Sequence, residues 1–316
     1  MCAGALTLVG AALAGNGGFL PPTPHSPNAH RIKDAYVLIL IFTGVIFVAV
    51  EGVLLAFVIR YRRGKRPRDA EGPQIHGSKR LEVLWTVLPV VILAAIGGYV
   101  FYKLPGIANP PAASAADETT ITVEGRQFYW MFRYPNGAIS VGTMLAPADE
   151  VVRENVVSAP DDVLHSWWIP ALGGKIDAVP GRTNHTWFEA PAGVYAARCS
   201  DLCGIQHAKM LATVDVVPAS RYAAFIAERA RESSGIALGK EEYTHVCASC
   251  HRLETNYVGP SLGTDPLLTE VKGLETILRQ GIGNMPAVGS DWSNAQIEAL
   301  VTYTKTLTKG TSGNAG

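Results

Sequence analysis

Charge is scarce in this 316-residue chain: Asp, Glu, Lys and Arg make up 17% of it, against roughly a quarter of a typical soluble protein. There is no net charge either, because 27 basic side chains meet 27 acidic ones. Beside 48% hydrophobic residues, so little charge excludes a disordered chain or one that coats nucleic acid. Cysteine is sparse, with five in all, and no internal repeat is visible. The first 20 residues lack any Lys or Arg. What charge there is lies unevenly. Residues 1–116 carry a net +6 and residues 117–218 a net −5, while 219–239 and 240–316 carry +1 and −2. A basic end beside an acidic middle is the pattern of a membrane anchor carrying an exported domain.

Ala35 to Ile59 is apolar apart from Thr43 and Glu51. As a helix it would span roughly 37 Å, enough for a hydrocarbon core of about 30 Å. Val83 to Tyr102 is a second such run, with Pro89 inside it, which membrane helices tolerate. Residues 60–80 hold Arg60, Arg62, Arg63, Lys65, Arg66, Arg68, Lys79 and Arg80, and a short loop this basic stays on the cytoplasmic side. The expected anchor is therefore a hairpin over 31–105, helices about 35–59 and 83–102, with both termini outside. Residues 1–30 form an N-terminal segment whose start is apolar like a signal-peptide core but lacks the basic beginning. Cys2 reads as a lipidation site or as a stray thiol; both readings stand.

After Pro105, Pro110, Pro111 and an Ala/Ser linker come seven β-rich runs: 119–123, 127–133, 151–157, 164–169, 186–189, 194–198 and 212–217. Gly and Pro punctuate them, and strands so spaced without helices predict a β-sandwich or barrel over 117–218. A helical connector is expected over 219–235, then a small all-helical domain over 236–310.

Two constellations carry chemistry. Cys199-Ser200-Asp201-Leu202-Cys203-Gly204-Ile205-Gln206-His207-Ala208-Lys209-Met210 gathers two thiols, an imidazole and a thioether. Soft ligands of this kind on a β-sandwich favour copper. One Cys serves a mononuclear site; a second, four residues on, lets two thiolates bridge two copper ions. Each copper then needs its own imidazole, and His165 supplies the second. A Cys199–Cys203 disulfide would leave His207 and Met210 without a role. His185, in a β-rich run, reads as a surface residue.

The second constellation is Cys247-Ala248-Ser249-Cys250-His251, the Cys-x-x-Cys-His signal for covalent c-type haem. The βαβ setting of a thioredoxin-like Cys-x-x-Cys is absent. Beyond His251 there is no further His and a single Met, Met285 in Gly283-Asn284-Met285-Pro286, so Met285 is the expected sixth ligand. His245 reads as a solvated helix residue. With Cys199, Cys203, Cys247 and Cys250 used by cofactors, no pair remains for a structural disulfide.

The copper segment closely resembles the dinuclear CuA motif of cytochrome c oxidase subunit II, usually Cys-Ser-Glu-x-Cys-Gly-x-x-His-x-x-Met. The likeness extends to Trp85-Thr86-Val87-Leu88-Pro89, to Gln127-Phe128-Tyr129-Trp130 and to Lys175-Ile176-Asp177-Ala178-Val179-Pro180-Gly181-Arg182. It covers roughly 30–218, and the segment around Met285 resembles the distal loop of class I cytochromes c. The resemblance implies a cupredoxin-like domain with Cys199 and Cys203 bridging, His165 and His207 terminal, and Met210 a weak axial ligand. Asp201 stands where the family has Glu; its carbonyl would serve copper, and its shorter carboxylate a magnesium ion against the catalytic subunit. Phe128, Tyr129 and Trp130 would lie on the electron path, with Phe128 replacing the family's Trp. Glu82 would mark a proton entrance, although an acid there also suits a helix N-terminus.

The expected function is electron transfer from external cytochrome c, or a quinol:cytochrome c reductase, through haem c and CuA to the oxygen-reducing, proton-pumping subunit I. Other oxidase subunits and membrane lipid complete the expected partners, in a bacterial plasma membrane with both redox domains extracytoplasmic. The alternatives are an electron-input subunit of a nitric or nitrous oxide reductase and a membrane-tethered copper-binding protein. Read as a flexible link, the connector would keep the haem near the copper at about millimolar effective concentration.

Overall fold

The computed structural model describes residues 20–62, 74, 76–110, 118–231, 235–263 and 265–311. Cys2, most of the N-terminal segment, the loop cations Arg63, Lys65, Arg66 and Arg68, and the Ala/Ser linker lie outside the described residues. Two compact units are present, one of helices within 30–107 and one of residues 21–29 and 108 onward.

The first unit is the hairpin. Helix α1 runs Pro27–Tyr61 and α2 runs Lys79–Lys103, with Pro89 inside α2 and a short turn, α3, at Pro105–Ala108. Both long helices begin before the apolar stretches of the sequence. Apolarity marks only the lipid-facing length, whereas backbone hydrogen bonding carries a helix on through polar flanks. Side chains such as Phe47 and Leu93 are 63% and 68% exposed. Lipid is the solvent such surfaces require. At one end of the pair Lys103 Nζ meets Asp34 Oδ2 at 2.9 Å.

The second unit contains a sandwich of two five-stranded sheets. Its strands are β1 Glu118–Arg126, β2 Tyr129–Arg133, β3 Ile139–Val141, β4 Thr143–Pro147, β5 Val151–Ser158, β6 His165–Trp168, β7 Ile176–Ala178, β8 Asn184–Phe188, β9 Gly193–Cys199 and β10 Leu211–Val217. One sheet has the order β3-β2-β1-β5-β8 and the other β4-β10-β9-β6-β7. Strands β3, β4 and β7 add to the seven expected; β3 and β7, of three residues each, are too short for alternation to show in sequence. The sandwich interior gathers Ile121, Trp130, Phe132, Met144, Val156, Trp167 and Phe188.

Strand β2 is buried on both faces. Trp130 and Phe132 point into the sandwich core, while Tyr129 and Met131 join a second core formed with the C-terminal helices. An unbroken apolar run is what such a strand requires. The helices are α4 Ala219–Arg231, α5 Ile236–Glu242, α6 Val271–Gln280 and α7 Asn294–Thr311. A wide helical turn, Tyr243–Cys247, continues α5. Helices α5 and α7 cross where a Cβ on Gly239 would lie 2.0 Å from Ala299 O, a closeness only glycine allows.

The connector is helical, as its pattern predicts, but it is packed down rather than a free link. Helix α4 buries Tyr222 against the sandwich, with Phe225 and Ile226 beside it, and Arg229 pairs with Glu241 of α5. The apolar residues recur at helical spacing, so the helix lays one face on the sheet.

Candidate functional site

Strands β9 and β10 are joined by the loop that carries most of the soft donors. Cys199 ends β9, Met210 precedes β10, and Cys199 N–H donates to Met210 O at 2.9 Å, closing the loop. Ser200 N–H donates to Ser166 O at 2.9 Å and Trp167 pairs with Cys199, which brings His165 at the start of β6 beside the loop.

The donor atoms converge. Cys199 Sγ lies 4.0 Å from His165 Nδ1 and 3.2 Å from Asp201 O. Cys203 Sγ lies 3.5 Å from His207 Nδ1 and 3.7 Å from Met210 Sδ. The two Sγ atoms are 3.9 Å apart and both thiols are free, against about 2.05 Å in a disulfide. His165, Cys199, Cys203 and Met210 are all buried. Hydrogen bonding from Cys203, aided by His165 and backbone groups at Ser166 and Asp201, holds the Cys199 thiol far below its ordinary range. The same hydrogen bond with Cys199, together with burial, pushes the Cys203 thiol upward.

Neighbours fix this arrangement. Asp162 Oδ1 lies 3.4 Å from His165 Nε2, which leaves Nδ1 to face the sulfurs. Burial alone would raise the Asp162 carboxyl, yet His165 and the Val163 and Gln127 amides hold it low. Gln127 Nε2 donates to Cys203 O at 2.6 Å. Gly204, at φ +134°, lets the loop pass against Phe128. Two thiols, two imidazole nitrogens, a thioether and a carbonyl in one buried cluster suit a thiolate-bridged copper pair. The Asp201 carboxylate accepts from Leu202 N–H at 3.0 Å. Among the described residues, His165, Cys199 and Cys203 form the cluster of His, Cys, Asp or Glu close enough to share an ion, and Asp201 is not in it.

The haem constellation sits where α5 and its wide turn end. Cys247 and Cys250 are free, and burial pushes the Cys247 thiol up to about 12. His251 N–H donates to Cys247 O at 2.9 Å, folding the motif into one turn. His251 Nδ1 lies 2.8 Å from Pro260 O, which only accepts, so Nδ1 carries the proton and Nε2 is left for a metal. Met285 stands in a tight turn, with Met285 N–H to Ile282 O at 3.0 Å and Ile282 N–H to Met285 O at 3.1 Å. Two thiols, a tautomerically fixed imidazole and a single thioether fit a c-type haem.

His245 corrects the sequence reading. It is half-buried rather than solvated, its ring against Gly142 of the sandwich, and desolvation lowers its pKa. His185 is on the surface, with Nδ1 2.8 Å from Asn155 Oδ1. Phe128, Tyr129 and Trp130 have three different surroundings. Phe128 meets Gly204 of the copper loop, Tyr129 meets the C-terminal domain, and Trp130 stacks edge-on with His165 and Trp167 at 6.0 and 4.8 Å. Glu82 is exposed in the first turn of α2.

Several contacts here escaped the sequence reading. Lys209, between His207 and Met210, hydrogen-bonds Tyr257 in the loop after His251 and lies 4.2 Å from its ring centre. Arg252 stacks on the same ring at 4.8 Å. The loop carrying Met285 also meets the sandwich, through Val288, Asp291 and Trp292. Nothing in local sequence marks the contacts between the domains, because the partners there lie at least 48 positions apart.

Family profiles match three stretches: the subunit II transmembrane domain of cytochrome c oxidase over 16–102, its periplasmic domain over 140–217, and cytochrome c oxidase, cbb3-type, subunit III over 235–303. Cytochrome c oxidase subunit 2 of Alkalihalophilus pseudofirmus is 32% identical over 314 residues, covering 90% of this chain and 89% of that one. The chain belongs to the cytochrome c oxidase subunit II family. The Cereibacter sphaeroides member is 34% identical over 72% of this chain and 84% of its own. The periplasmic domain of subunit II from Bradyrhizobium japonicum, a solved structure, is 37% identical over 36% of this chain and 94% of that one, with a TM-score of 0.34. Membrane anchor, cupredoxin-like sandwich and helical cytochrome-type domain are thus the family's subunit II architecture with a C-terminal addition.

Proposed function

We propose that this chain is the electron-input subunit of a bacterial haem–copper oxidase, passing electrons from a covalent haem c to dinuclear copper and on to the oxygen-reducing subunit I. The supporting observation is the convergence of Cys199, Cys203, His165, His207 and Met210, next to a haem-type domain that touches the copper loop.

When bound, the copper pair and the haem supply one-electron carriers. Cys199, Cys203, His165, His207, Met210 and Asp201 O would hold the copper pair. Burial of His165, Cys199, Cys203 and Met210 would keep water out and limit rearrangement between redox states. Cys247 and Cys250 would hold the haem, and His251 and Met285 would serve its iron. Phe128, in the turn before β2, stands against the copper loop, and Tyr129, at the start of β2, against the haem domain, so adjacent residues touch the two domains. A donor from outside would reduce the haem domain first, since that domain covers the Tyr129 face. Magnesium at Asp201 would take its remaining ligands from subunit I, and Glu82 would feed protons toward that subunit. The basic loop after α1 belongs in the cytoplasm, and both redox domains outside.

Optical and paramagnetic resonance spectra of the copper-loaded, haem-loaded full chain test this reading. A mixed-valence dicopper signal with a low-spin c-type haem is expected. A single labile copper would contradict it.

A further inference from the structure

The loop from Gly281 to Trp292 carries Met285, and the copper domain braces it. Tyr129 Oη donates to Val288 O at 2.6 Å and accepts from Trp292 Nε1 at 3.0 Å. The two rings meet edge-on, 6.3 Å apart at 82°. Tyr129 is 2% exposed, so its hydroxyl has both partners inside the interface and no water to replace them. Beside it Arg126, held by Glu124, pairs with Asp291, and Arg133 Nη2 lies 3.9 Å from Asp291. Gln296 Nε2 reaches Met131 Sδ at 3.6 Å. Val288 is three residues from Met285, and Val288 N–H closes on Pro286 O at 2.9 Å, so a force on Val288 acts on the turn that holds the methionine.

We infer that Tyr129 is a positioning residue for the axial methionine: by fixing Val288 and Trp292 it makes docking of the haem domain and ligation by Met285 one event. The inference rests on the reading of Met285 as the sixth ligand. An electron donor whose axial loop is clamped by its acceptor's domain holds its high-potential form when docked, the pose from which it must deliver.

Tyr129→Phe keeps the ring and removes the hydroxyl, leaving Val288 O and Trp292 Nε1 unpaired in a buried interface. In the full, cofactor-loaded chain the ferric haem should then bind added imidazole about tenfold more tightly, the ratio expected for one buried hydrogen bond. The thioether–iron absorption should weaken, the haem potential should fall, and amides 285–292 should exchange faster. The dicopper absorption should not change. Asp291→Asn should move imidazole binding in the same direction. Tyr134→Phe, which removes a buried hydroxyl bonded to Ser140 and Leu145 of the same sandwich, should leave it unmoved. Imidazole binding unaltered in Tyr129→Phe, or raised equally by Tyr134→Phe, would overturn the inference. A wild-type chain without covalent haem or a methionine signature would instead refute the functional reading beneath it.

Discussion

Replacing Gly204 with alanine tests whether the backbone path of the copper loop keeps the donors assembled. Gly204 lies at φ +134°, and a Cβ there would come within 2.8 Å of Phe128 Cε1 and 3.0 Å of Gln127 Nε2. Holding a non-glycine residue in such a conformation costs about 1–3 kcal/mol. The empty loop can shed that strain by shifting away from Phe128, at the expense of the Gln127 bond to Cys203 O. Copper binding must then restore the strained path. The strain therefore appears as lost affinity, roughly 5- to 150-fold. Equilibrating the copper-loaded full chain against graded chelator, with the haem bands as internal reference, measures it. A competition midpoint within about twofold of wild type, well under the 1.4 kcal/mol of a tenfold change, would refute the reasoning.

Other perturbations separate the remaining parts of the account. Cys203→Ser should abolish the mixed-valence spectrum and leave haem absorption intact, because the two donor sets share no residue; a normal dicopper signal would end the bridging assignment. Glu154 is 2% exposed and accepts from Trp167 Nε1 at 2.8 Å, and burial pushes its carboxyl up to about 8 from 4.5. The folded chain thus keeps a proton that the unfolded chain releases, and stability falls as pH rises from about 4.5 toward 8. Glu154→Gln, which keeps the acceptor and cannot ionise, should unfold like wild type at pH 5 and be stabler by about a few kcal/mol above pH 8; parallel pH profiles would count against it. Glu82→Gln should slow oxidase turnover and proton uptake with both metal spectra unchanged, whereas full activity would leave Glu82 a helix-end residue only.

The convergence of the soft donors was legible because five of the six residues fall within twelve positions and such side chains are rare. His165 was reachable through the demand for a second imidazole. The haem motif is likewise contiguous. Strands β3 and β7, of three residues each, were not legible, being too short to establish a period. The double burial of β2 was half legible: Tyr129-Trp130-Met131-Phe132 is conspicuously apolar, but what covers the outer face depends on Trp292 and Asp291, over 160 residues away. The connector was legible as a helix, and Tyr222, Phe225 and Ile226 share one face of it, but what that face packs against lies in the distant sandwich. His245 was misread because burial there comes from another domain.

Whether electrons reach the copper pair from the haem of the same chain is decided by rapid mixing of the loaded full chain with less than one equivalent of reduced donor. The haem should be reduced first, and the copper absorption should then change in a first-order step whose rate is independent of protein concentration. Copper reduced before the haem, or at a second-order rate of its own, would contradict the account.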